Sequence, residues 1–188
     1  MSNRNSLNDK LVVIDLEATC DNPRPQWDSE IIEIGVCLLD LRTLNISDSR
    51  GILVKPENSP ITPFCTSLTT ITPEMVRRDG VTLQQALRVL KDDYKIHQRA
   101  WASWGDYDRN QLLRECDRKE LIFWGDRSPH LNLKHLIALE HGWAAKEGMD
   151  QALKKFGITL EGTHHRGIDD AFNIAKIYAA HLRKIRSV

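Results

Sequence analysis

The feature that most constrains this chain is a strand that begins apolar and ends acidic. Leu11-Val12-Val13-Ile14 is a short apolar run dominated by β-branched residues, followed by Asp15-Leu16-Glu17 and then by turn chemistry at Asp21, Asn22, Pro23 and Pro25. Residues two apart on a strand point the same way and stand about 6.5 to 7 Å apart, so Asp15 and Glu17 share a face with Leu11 and Val13. An unpaired carboxylate on the core side of a central strand is costly unless it is protonated or bound to a cation. Either the strand reaches solvent at Glu17, or a cation site lies at its end.

The remaining pattern places this strand in a sheet. Ile31 to Leu39 reads as a second strand, with Ile32, Ile34, Val36 and Leu38 on one face and Glu33 and Gly35 on the other. A third, Asn45 to Val54, completes an antiparallel meander before the proline-rich stretch from Pro56 to Pro63 breaks the pattern. Thr72 and Thr82 then read as N-caps, the first followed by Pro73, with Gly80 between the two helices. Ala100 to Trp104 is a returning strand, Tyr107 to Asp117 a helix, and Gly125 to Pro129 a loop. Asn132 caps a helix that stops at Gly142, Met149 to Phe156 forms another that stops at Gly157, and a last helix begins near Asp169. Three strands followed by strands alternating with helices predict an α/β architecture, a mixed sheet covered by helices.

With 188 residues, 41% of them hydrophobic, the chain is expected to form a single domain over residues 1–188, with 1–9 a polar N-terminal tail. Twenty-six Lys and Arg balance twenty-six Asp and Glu, so contact with nucleic acid must be local rather than driven by net charge. The four cysteines are scattered, form no CxxC pair, and read as reduced thiols. The start is polar and no apolar run approaches the ~20 residues that span a bilayer, so a soluble, cytoplasmic protein is expected.

Two further acidic positions reinforce the first. Asp106 falls directly after the strand at Ala100 to Trp104, and in sheets of this kind ligands gather outside the strand ends. Asp108 competes with it, but reads as a first-turn residue of the next helix, where the helix dipole favours a carboxylate. The third element is His164-His165-Arg166-Gly167-Ile168-Asp169-Asp170, a glycine-containing loop entering the last helix. Here Asp169 is the better cap and Asp170 the better ligand. Three or four carboxylates without cysteine partners describe a hard-oxygen site, suited to Mg²⁺ or Mn²⁺. Two such ions about 3.5 to 4 Å apart serve an in-line displacement at phosphorus. A histidine with an ordinary pKa of about 6.5 supplies the base.

Asp15-Leu-Glu17-Ala-Thr-Cys, Glu30-Ile-Ile-Glu-Ile-Gly, Trp104-Gly-Asp106-Tyr-Asp and His165-Arg-Gly-Ile-Asp-Asp170 resemble the successive motifs of the DEDDh 3'-to-5' exonucleases, across nearly the whole chain. The resemblance implies a ribonuclease H-like fold with a central mixed five-stranded sheet flanked by helices. It also implies two metal ions held by Asp15, Glu17, Asp106 and Asp170, with His165 as general base. The family interval of five between His and the last Asp is met by His165 with Asp170 and equally by His164 with Asp169. The run His-x-Gly-Ile-Asp-Asp resembles the ERI-like exoribonuclease branch and favours the first register. Phe64-Cys-Thr-Ser-Leu-Thr-Thr-Ile-Thr-Pro, Ser103-Trp-Gly-Asp and Asp169-Asp-Ala-Phe-Asn-Ile-Ala resemble the same branch and favour RNA over DNA.

By that resemblance, the backbone at Ala18 and Thr19 approaches the terminal nucleotide, and Leu68 and Tyr107 pack against its base. The expected activity is hydrolysis at the 3' end of single-stranded RNA, releasing nucleoside 5'-monophosphates. A DNA-directed 3'-to-5' exonuclease and a non-catalytic nucleic-acid binder of the same fold are the alternatives. Relatives can carry an extra nucleic-acid-binding domain, for which these residues leave no room. The apolar residues near Trp143 are a candidate interface between copies.

Overall fold

The computed structural model describes residues 9–143 and 147–187, so the tail expected at 1–9 lies almost wholly outside the described residues. In chain order the elements are β1 (Lys10–Ala18), β2 (Ile31–Asp40), β3 (Ile46–Leu53), α1 (Pro63–Thr69), α2 (Pro73–Asp79), α3 (Leu83–Asp92), β4 (Trp101–Ser103), α4 (Tyr107–Arg118), β5 (His130–Asn132), α5 (Leu133–His141), α6 (Met149–Phe156) and α7 (Gly167–Arg186). The sheet has the order β3-β2-β1-β4-β5, so the acidic strand lies at its centre. The β1–β2 and β2–β3 pairs are antiparallel, and β1–β4 and β4–β5 are parallel. This is the expected mixed five-stranded sheet.

Strand alternation divides the core in two. Val12, Ile14 and Leu16 face α3, Trp101 and Leu112 on one side. Leu11 and Val13 face Leu133, Ile137, Ala152 and Ile174 of α5, α6 and α7 on the other. Asp15 and Glu17 therefore follow Leu11 and Val13 toward α7, as the two-residue period requires. Burying such apolar faces stabilises the sheet by roughly 25 cal/mol per Å².

Three threonines spaced ten apart start the first three helices in the same way. The hydroxyls of Thr62, Thr72 and Thr82 accept the backbone N–H groups of Cys65, Met75 and Gln85 at 3.1, 3.1 and 3.2 Å. Thr62 is followed by Pro63 just as Thr72 is by Pro73, so α1 carries the same signal as α2, though the proline-rich context reads as a break. The expected last helix starts two residues early, at Gly167, and Asp169 is a first-turn residue rather than its cap. The carboxylate of Asp169 instead accepts the N–H of Thr163 at 2.8 Å. The short strand β5 was not separable in sequence from the loop before it.

All four cysteines are free thiols. No helix among the described residues is long and apolar enough to cross a membrane. Trp143 packs edge-on against Phe156 and stacks on His141, while the neighbouring residues 144–146 lie outside the described residues.

Candidate active site

The carboxylates of Asp15, Glu17 and Asp170 each offer an oxygen, and the three atoms lie within 4.8 Å of one another. Two come from the end of β1 and one from the first turn of α7. The approach of strand to helix is set by Gly35 and Gly167, since a Cβ on Gly35 would run into the Gly167 carbonyl. Glu33 fixes the same junction from β2. Its buried carboxylate accepts the Gly167 N–H at 2.7 Å and receives the Arg166 guanidinium in a fork, Nη2 to Oε1 at 3.0 Å and Nε to Oε2 at 3.2 Å.

A fourth acid lies beside these three, and it is Asp108 rather than the Asp106 expected there. Asp106 is exposed at the N-terminus of α4, where its carboxylate accepts from the Asn132 amide at 2.8 Å. Asp108 is buried in the first turn of α4, and its Oδ1 accepts the Leu16 N–H at 3.0 Å. The cause is the shortness of β4. The Val12 N–H donates to Ala100 O on that edge, but β4 ends at Ser103, so the Leu16 N–H further along β1 has no strand beside it. Asp108 takes the place of the missing rung and brings a charge beside Asp15. Helical periodicity carried this signal, because Asp108, Leu112 and Cys116 recur every four residues on the buried face of α4.

Electrostatics confirm that the acids are crowded. Burial, then the charges of Asp108, Glu17, Asp170 and Glu33, hold the Asp15 carboxyl well above the usual range. Burial, then Asp170, Glu33 and Asp108, push Glu17 to about 8, and the Arg166 guanidinium is the smallest of the five influences on it. Burial lifts Asp108 to about 7 despite the hydrogen bond from Leu16. Asp170 is also raised by burial, with hydrogen bonds from the His164 ring and the His165 N–H working against it. Converging carboxylates whose proton affinity is raised by burial and by one another's charge are the donor set that a hard divalent cation fits.

The loop before α7 supplies the histidines. His164 Nδ1 lies 3.0 Å from Asp170 Oδ2, and the backbone N–H of His165 donates to the same oxygen at 2.9 Å. His165 has φ 63°, a left-handed conformation that histidine adopts more readily than most residues. Its ring stacks on His164 at 4.0 Å between centroids. Burial, then the His164 charge, depress the pKa of His165.

Of the residues expected at the substrate, Tyr107 and Leu68 are exposed, 52% and 37% respectively. Thr19 is fully buried, with its N–H on Glu30 O at 2.8 Å and its hydroxyl 2.7 Å from that of Ser59. Ala18 is buried at the end of β1, where its carbonyl lies 3.6 Å from the Cys65 thiol.

Comparison with known proteins gives the family. The RNase T family model, described as an exonuclease, matches residues 12–178. Human "3'-5' exoribonuclease 1" is 33% identical over 184 residues, which are 90% of this chain and 51% of that protein. Human "ERI1 exoribonuclease 3" is 34% identical over 179 residues, 88% of this chain and 51% of that protein. The chain thus spans about half the length of these curated relatives. Among solved structures, the nuclease domain of 3'hExo, a DEDDh family member bound to rAMP, superposes with a TM-score of 0.86 at 30% identity, covering 94% of this chain and 93% of that one. E. coli Exonuclease I in complex with a dT13 oligonucleotide shares the fold at a TM-score of 0.74 and 12% identity, over 96% of this chain and 43% of that one. With the family model covering most of its length and its acids gathered at the end of the central strand, the chain belongs to the RNase T exonuclease family.

Proposed function

We propose that this chain is a divalent-metal-dependent 3'-to-5' exonuclease that trims single-stranded RNA and releases nucleoside 5'-monophosphates. The observation that carries the reading is the convergence of Asp15, Glu17 and Asp170, joined by Asp108, at the end of β1, where the Arg166 guanidinium is taken up by Glu33 rather than by these acids. In this reading Asp15, Glu17, Asp108 and Asp170 hold two Mg²⁺ or Mn²⁺ ions. When bound, the ions offset the charge that builds on the attacking and leaving oxygens.

The protein's own groups do the rest. A water adds to the terminal phosphorus, the bond from phosphorus to the preceding 3' oxygen breaks, and that oxygen takes up a proton. His165 accepts the proton of the attacking water, a role that suits a half-buried imidazole whose depressed pKa keeps it neutral near pH 7. His164 is engaged with Asp170 and serves the loop instead. The Glu33 clamp on Arg166 and Gly167 keeps that loop facing the acids. Leu68 and Tyr107 offer exposed surfaces to the terminal base.

RNA is favoured because the relatives named above are exoribonucleases and one solved neighbour is a 3'-exonuclease described in "3'-end specific recognition of histone mRNA stem-loop", at 28% identity and a TM-score of 0.85 over 97% of this chain and 67% of that one. The test is a time course on matched 5'-labelled RNA and DNA oligonucleotides with Mg²⁺, with Mn²⁺ and with chelator. A metal-dependent ladder shortening from the 3' end, faster on RNA and lost in Asp15→Ala, is expected. A faster ladder on DNA moves the assignment to the DNA-directed alternative. No cleavage of either strand with either metal sinks the catalytic reading and leaves the non-catalytic binder. In the same assay His165→Ala lowers the rate by about 10² to 10⁴ while His164→Ala does less; the reverse order would move the base by one residue.

A further inference from the structure

A second feature lies near the acids and, Tyr107 apart, is built from residues not assigned so far. A cleft of about 780 Å³ opens between α4 and the segment joining β1 to β2. Its lining holds three arginines, Arg24, Arg114 and Arg118, against one acid, Asp28. Trp27 and Tyr107 are its aromatic members. In a chain whose total charge is zero, such an excess of cations in one concave place is a local field.

The arrangement is linear. Tyr107, Gln111, Arg114 and Arg118 recur at helical spacing along one side of α4, covering about 16 Å of its axis at 1.5 Å per residue. At about 3.4 Å per stacked nucleotide, that length matches four or five nucleotides. One end meets the acids, because Tyr107 opens α4 directly before the buried Asp108. The far end is braced: Arg118 pairs with Asp28 at 3.1 Å and donates to Ser29 O at 3.3 Å, and Gln111 donates to the same carbonyl at 2.8 Å. Among the described residues the Arg114 guanidinium bonds only the Gln111 side-chain oxygen, at 2.8 Å, and Arg24 is exposed, so both guanidiniums keep donors for an anion.

We infer that this cleft is the path of the substrate strand upstream of the cut, with Arg24 and Arg114 on its phosphates and Trp27 stacking a base. The inference rests on the proposed exonuclease reading for the identity of the strand, but Arg24, Arg114 and Trp27 have no part in that reading. Phosphate contacts and aromatic stacking are both indifferent to sequence, which suits a strand that moves by one nucleotide after each cut. It predicts that binding strengthens with length up to about five nucleotides and then levels off.

The experiment measures binding of a 5'-fluorescein oligoribonucleotide of about eight residues in chelator, where it is not cut, to wild type, to the double variant Arg24→Ala/Arg114→Ala, and to Trp27→Ala. Alongside it, turnover with metal is followed on the p-nitrophenyl ester of a nucleoside 5'-monophosphate, which fills only the terminal position. Expected are a Kd raised at least about tenfold in each variant, a slope of log Kd against log salt reduced by about 1.4 in the arginine double variant, and ester turnover as in wild type. An unchanged Kd and salt slope in both variants overturns the cleft. So does an equal loss on ester and oligomer, which would place these residues at the terminal position. If binding responds as expected while neither ester nor RNA is turned over by wild type, the cleft stands and the exonuclease reading falls.

Discussion

Two buried carboxylates on neighbouring stretches of chain meet opposite fates, and the contrast explains the site. Glu30 is buried just before β2, yet burial is outweighed by donors: the Lys119 ammonium at 2.9 Å, the N–H groups of Asn58 and Ser59 at 2.7 Å, that of Glu57 at 3.2 Å, and the Ser59 hydroxyl at 2.9 Å. Those contacts hold its carboxyl down at about 2. Glu17, at the end of the adjoining strand, has no such company and is pushed up to about 8. The same residue type, buried in both places, closes a loop in one and stands among like charges in the other. A buried carboxylate satisfied by the protein is architecture; one left crowded among its kind is the ligand proposed above.

The largest effect falls on the crowded side. Asp15→Ala should abolish metal-dependent trimming and at the same time raise the melting temperature in chelator, since one of the repelling charges is gone. A protein equally inactive but less stable in chelator would break the claim that the acids repel. Next comes the choice within α4. Asp108→Asn should cut the rate at least about a hundredfold, the upper span even for groups behind a metal ligand, while Asp106→Asn stays within about threefold of wild type. The opposite ranking would restore Asp106 as the ligand.

On the satisfied side, Glu30→Ala strands the Lys119 charge and several N–H groups, and urea denaturation should show a loss of about 3 kcal/mol. A loss below about 1 kcal/mol would show the knot to be ornamental. Metal provides a smaller contrast: at a hundredfold excess over its Kd a cation stabilises the fold by about 2.7 kcal/mol, or about 5 to 11 °C in Tm. Glu17→Gln should reduce that rise and Glu30→Gln should not.

The finest comparison is in pH. Glu30 has a folded value near 2, below its ordinary 4.5, so its contribution is complete above pH 4.5 and is lost as pH falls through 2. Glu17 has a folded value near 8, above its ordinary 4.5, so its contribution is present below pH 4.5 and is lost as pH rises through 8. Urea midpoints in chelator should therefore decline from pH 5 to 8 in wild type, less steeply in Glu17→Gln, and with the wild-type slope in Glu30→Gln.

Legibility in the sequence followed the same division. The acidic strand was readable because period two is unambiguous: Leu11 and Val13 had to share a face with Asp15 and Glu17, and they do. Helices with threonine caps or glycine stops were readable for a local reason, since the cap contacts only residues three positions away. Asp106 and Asp108 are hard to tell apart in sequence because which of them turns toward β1 depends on where β4 stops, and strand length is settled by the partner strand rather than by Ser103 itself. Glu33 was visible as a polar residue on a buried strand, but its partners Arg166 and Gly167 are 133 and 134 residues away. No local pattern encodes such a pair.

The bond between Asp108 and the Leu16 amide makes a backbone proton into a gauge of the site. That amide is protected by a side chain whose other business is with a charge, not by a neighbouring strand. Its hydrogen–deuterium exchange should therefore differ between chelated and metal-loaded protein, while the amides of Val12 and Ile14, inside the sheet, exchange alike in both.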